Sequence, residues 1–157
     1  RVNAAGESTV YTPQVMIGRQ VQTVWRASPA VARALDAAGG VAEVGVAMLL
    51  ERQGSESILR LGVARSGSPA GKPASVWLAQ TIDAQETRVR AGENAGTTLR
   101  HDRVVAKLWG PWSLDRLPLS KALDVELGQG AWGLTAFVEA ADGRLLQSLR
   151  MASADCR

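Results

Sequence analysis

His101 is the only histidine in the chain. It stands beside Asp102 and follows Glu93 along a glycine-bounded stretch, Gly92-Glu93-Asn94-Ala95-Gly96. An imidazole with two carboxylates can hold a divalent metal or move a proton near neutral pH. The same residues have a structural use: Asn94 can bond its own backbone in a turn, and His101 can donate to a nearby carbonyl or carboxylate. The structural use is preferred, with the loop expected close to His101. Glu93, Asn94 and His101 stand as candidate ligand-binding residues, and no metal site is assigned.

Two tryptophans, Trp109 and Trp112, flank Gly110-Pro111. Exposed, the rings would suit a sugar or a peptide; as a corner of the chain they would cover the edge of a core. The corner is preferred. No serine sits in a Gly-x-Ser-x-Gly elbow, so catalytic residues stay unknown and the chain is not assigned as an enzyme. The one cysteine, Cys156, next to the last residue, excludes an internal disulfide and a four-cysteine zinc site.

Composition bounds the rest. The chain has 157 residues, 46% of them apolar, enough for a real core. Eighteen basic against fifteen acidic residues leave a net charge of +3 without any block of one sign, so nucleic-acid binding is not expected. No apolar run approaches the ~20 residues of a membrane helix. The first residue is Arg1, which reads as a processed product or fragment.

Two regimes must position these residues. In residues 1–40, β-prone 10–17 and alternating 20–25 flank a turn at Gly18-Arg19. Ser28-Pro29 opens a helix over 30–38 that Gly39-Gly40 ends. Residues 41–157 read as all β, with strands expected at 43–52, 57–65, 74–82, 86–90, 98–108, 122–127, 132–140 and 144–151. The stretch 98–108 also fits one helical turn. Gln53-Gly54-Ser55 and Asp142-Gly143 are hairpin signals, the second of type I′.

The segment Tyr11-Thr12-Pro13-Gln14-Val15, followed by strand, turn, strand and helix, reads like the C-terminal half of a thioredoxin fold. There a cis proline faces the redox centre and a substrate strand pairs beside it, which makes Thr12 and Pro13 candidate substrate-binding residues. The ordinary alternative is a trans proline on an edge strand.

Together these motifs resemble a bacterial family of secreted, thioredoxin-like proteins known only as a domain of unknown function, number twelve twenty-three. The similarity rests on the Tyr11–Val15 segment, Arg88 or Arg90, the Gly92–Gly96 stretch, Thr98-Leu99, His101, Val104-Val105, and Gly110 with Trp112. It covers most of the chain. Asp102-Arg103 departs from the family, where an Asn is common before the valine pair. The resemblance implies an α+β protein: the C-terminal half of a thioredoxin-like domain over 1–40, then an antiparallel β-sandwich-like domain over 41–157. It implies a periplasmic or secreted location. The partners it implies are the N-terminal half of the same protein and a protein thiol or disulfide, and no cofactor. Family members carry a Cys-x-x-Cys that this chain lacks. Thiol–disulfide exchange is therefore an expectation for the intact protein only. The alternative is a non-enzymatic binding module, in which the β domain recognises a protein or a carbohydrate.

Overall fold

The computed structural model describes residues 15–17, 20–22, 29–39, 41–65, 73–115 and 118–155. Thr12, Pro13 and Cys156 lie outside the described residues, as do the Gly18-Arg19 turn and the Ser28 cap. Among the described residues the fold is β-rich, with 61% strand and one short α-helix.

The chain runs β1 (Val15–Ile17), β2 (Gln20–Gln22), α1 (Pro29–Ala38), β3 (Val44–Gln53), β4 (Glu56–Arg65), β5 (Ala74–Ile82) and β6 (Gln85–Arg88). It continues through β7 (Thr98–His101), β8 (Val104–Ser113), β9 (Leu119–Asp124), β10 (Trp132–Ala140) and β11 (Leu145–Ala152), and ends in a 3-10 turn at Ser153–Asp155. A four-stranded sheet has the order β11-β10-β5-β8, and a three-stranded sheet the order β3-β4-β9. Every pairing is antiparallel.

Alternation along the strands explains the core. On β5 and β10, Val76, Leu78, Leu134, Ala136 and Val138 are buried, and the register sets Val76 opposite Val138 and Leu78 opposite Ala136. On β4, Leu59, Leu61 and Val63 do the same for the smaller sheet. These two inner faces form one cluster closed by Val44, Leu114, Val125 and Trp132. Period-two burial is what a sheet with one face on the core demands. Arg144 and Glu43 pair at 2.9 Å on the surface, joining the start of β11 to the chain entering β3.

The expected α+β class, with a thioredoxin-like strand-strand-helix half followed by a sandwich, is corrected to a β-rich fold. Strands β1 and β2 are three residues each and, among the described residues, pair only with each other. Helix α1 is ten residues long and buries none of them. A thioredoxin-like half needs its strands inside a shared sheet and its helix buried on that sheet; among the described residues β1 and β2 join no larger sheet, and α1 buries no residue. The helix ends where Gly39 donates to the carbonyls of Leu35 and Asp36 at 3.1 and 3.2 Å.

Other expectations shift in detail. The stretch 98–108 is strand, but it breaks at Asp102-Arg103 into β7 and β8. Gly110-Pro111 is no corner: β8 runs through it with a register shift and a cis Gly110-Pro111 peptide. At Asp142-Gly143 only Gly143 has positive φ, 81°, which excludes the expected type I′ turn. Gly143 instead closes a three-residue connection, its amide donating to Ala140 at 2.8 Å while Ala140 donates to Arg144 at 2.9 Å.

Candidate functional site

Strands β5 and β8 pair as far as Ile82 opposite Val104, and pairing resumes with Gln85 opposite His101 in β6 and β7. Two residues on each strand intervene: Asp83-Ala84 and Asp102-Arg103. Ala84 and Arg103 have φ of 56° and 57°, the left-handed region that side chains disfavour. Two such residues, set diagonally across the ladder with Ala84 opposite Asp102 and Asp83 opposite Arg103, interrupt the strand pairing. The amide of each is taken by the opposite aspartate: Arg103 N–H donates to Asp83 Oδ1 at 2.7 Å, and Ala84 N–H to Asp102 Oδ1 at 2.9 Å. The Asp83 amide donates to Ala131 at 3.1 Å, anchoring this junction to the loop before β10.

Beyond the junction, β6 and β7 form a two-stranded arm. All eight of its strand residues are exposed, including Leu99 at 39%. Val89 donates to Thr97 and Gly96 to Val89, both at 2.9 Å, extending the ladder to the tip. The Asn94 carbonyl accepts both the Thr97 amide, at 3.1 Å, and the Thr97 hydroxyl, at 2.7 Å. Gly92 and Gly96 hold φ of 86° and 89°, which the tight tip requires.

Glu93 and Asn94 therefore lie at the tip, and His101 at the base. Thr98 and His101 stand three strand residues apart, about 10 Å of rise, so the loop and His101 are not brought together. Asp102 is engaged by the Ala84 amide. Among the described residues no three His, Cys, Asp or Glu side chains gather to hold a metal. The arrangement can present a surface.

Trp109 and Trp112 pair with β5 opposite Leu78 and Val76 and pack half-buried against the core. Lys107 lies over the Trp109 ring at 4.8 Å, and Lys121 of β9 over the Trp112 ring at 5.8 Å. The rings thus close the flank between the edge strands β8 and β9, each roofed by an ammonium. Sequence reasoning missed the paired role of Asp83 and Asp102. Only Asp83 carried a signal, standing between the β-prone runs 74–82 and 86–90; Asp102 lay inside the single run 98–108.

The family described as "Protein of unknown function (DUF1223)" matches over residues 1–139. No curated protein matches the chain. Among solved structures it is similar to HBP35 of Porphyromonas gingivalis, with 12% identity, a TM-score of 0.56, and coverage of 78% of this chain and 44% of that one. At that identity the likeness concerns the fold alone. The chain spans less than half the length of that protein.

Proposed function

This chain belongs to the family described as "Protein of unknown function (DUF1223)", and from that premise we propose that it is a non-enzymatic binding module presenting the β6–β7 arm to a protein partner. One observation carries the reading. The arm projects with both faces exposed, yet it is fixed to the end of the β5–β8 pair by the reciprocal Asp83 and Asp102 bonds. A two-stranded hairpin is marginal by itself, and a held, exposed one suits recognition by pre-organisation. Its strands carry Leu99 on one face and Glu86 opposite Arg100 on the other, a mixed surface of the kind protein partners bury.

Carbohydrate recognition through Trp109 and Trp112 is the weaker reading, because each ring already carries a lysine. Thiol–disulfide exchange in the intact protein gains no support from this fold: a dithiol centre needs two thiols, and this chain supplies Cys156 alone. The family resemblance supports a periplasmic or secreted location.

A photo-crosslinking residue at position 99, introduced in the bacterium that makes the protein, tests the reading. A discrete protein adduct is expected. Excess unlabelled protein should compete it away, and excess Leu99→Ser/Arg100→Ser protein should not. Adducts that both competitors suppress equally would overturn it.

A further inference from the structure

The β3–β4 turn and the loop before β10, to which the root of the arm is anchored, line a cleft of about 340 Å³. Arg52 lies on its wall, its guanidinium over the ring of Trp132 at 5.7 Å. Trp132 is 3% exposed and belongs to the core, so the ring is a fixed platform. No carboxylate among the described residues forms an ion pair with Arg52, and none lines the cleft. Ser55, Ser57 and the segment Gly128-Gln129-Gly130 also line it. Among the described residues, no hydrogen bond uses the amides of that segment.

The segment is held in place. Gln80, buried at 7%, donates its side-chain amide to the Glu126 carbonyl at 2.7 Å, and Asp83 donates to Ala131. A planar guanidinium over a buried aromatic ring, in a cleft also lined by two serines and a segment whose amides are unused among the described residues, suits the fork geometry of a carboxylate. Glu56, Asp124 and Glu126 line a neighbouring hollow that shares Ser55 and Ser57. Their charge disfavours multiply charged anions.

We propose that this cleft binds the carboxylate of a small ligand, with Arg52 as the ion-pairing residue. The probe is acetate, titrated against the labelled protein at constant ionic strength, with neutral acetamide as its isostere and the amide resonances as readout. Acetate should produce saturable shifts confined to Gly54, Ser55 and residues 128–130. Acetamide should leave these unmoved, and Arg52→Gln should abolish the response while the rest of the spectrum stays unchanged. Equal shifts with acetamide, a response that survives in Arg52→Gln, or no saturation at millimolar acetate would overturn the proposal. If Arg52→Gln disturbs the spectrum widely, the acetate–acetamide comparison in the unaltered protein still decides.

Discussion

Asp83 and Asp102 exchange roles across one point of the ladder: each carboxylate accepts the amide of the left-handed residue that follows the other, at 2.7 and 2.9 Å. The two amides are met there by side chains, and everything beyond the junction is the arm.

Removing either carboxylate should loosen the arm and spare the two larger sheets. In Asp83→Ala or Asp102→Ala, hydrogen exchange from β6 and β7 should quicken on the order of tenfold, the equivalent of about 1.4 kcal/mol. Exchange from β4 and β10 should not change. The double variant should cost less than the sum of the two, because both bonds close one junction.

The left-handed pair makes a separate prediction. Arg103→Gly relieves a backbone conformation that costs a side-chain-bearing residue about 1 kcal/mol, partly offset by the greater freedom of glycine in the unfolded chain. Urea unfolding should show equal or slightly higher stability for Arg103→Gly and clear loss for Arg103→Val, whose branched side chain resists φ of 57°.

Two glycines should respond differently to the same substitution. A Cβ on Gly110, at φ 106°, would stand 2.7 Å from the Val76 carbonyl oxygen, which is backbone and cannot move aside. Gly110→Ala should therefore destabilise by more than about 2 kcal/mol. A Cβ on Gly133 would meet the side chains of Thr81 and Arg150 at 2.8 and 2.9 Å. The arginine end can swing away, so Gly133→Ala should cost visibly less in the same thermal unfolding measurement.

Trp77 stacks on Phe137 at 6.3 Å between ring centroids, yet its buried indole N–H has no partner among the described residues. A buried unsatisfied donor costs about 1–3 kcal/mol. Trp77→Phe keeps the aromatic contact and removes that donor, so its denaturant midpoint should match or exceed that of the parent chain.

Strands β5 and β10 were legible because each sets alternate residues on the core. Residues 74–82 and 132–140 were read with the bounds the structure gives them. The break inside 98–108 was not legible, since Arg103 is a poor left-handed residue and no glycine marks the turn. The expectation that Gly110-Pro111 makes a corner failed for a related reason: a bulge and a corner draw on the same residues, and only the pairing of Trp112 with Val76 tells them apart. The α+β reading leaned on the order strand, strand, helix around residues 15–38. That order is local, whereas fold class depends on which sheet the strands join. The grouping of Glu93 with His101 was a matter of spacing along the chain, and a hairpin places its tip and its base at opposite ends. Arg52 passed unnoticed because its partner, Trp132, is far along the sequence.

The central claim is that the arm is a built element, held in one orientation for a partner to meet. Backbone amide relaxation measures this directly. The account predicts order parameters for residues 85–88 and 98–101 close to those of β5 and β8, near the rigid value of about 0.85. Values below about 0.6 across the arm, with β5 and β8 rigid, would contradict it.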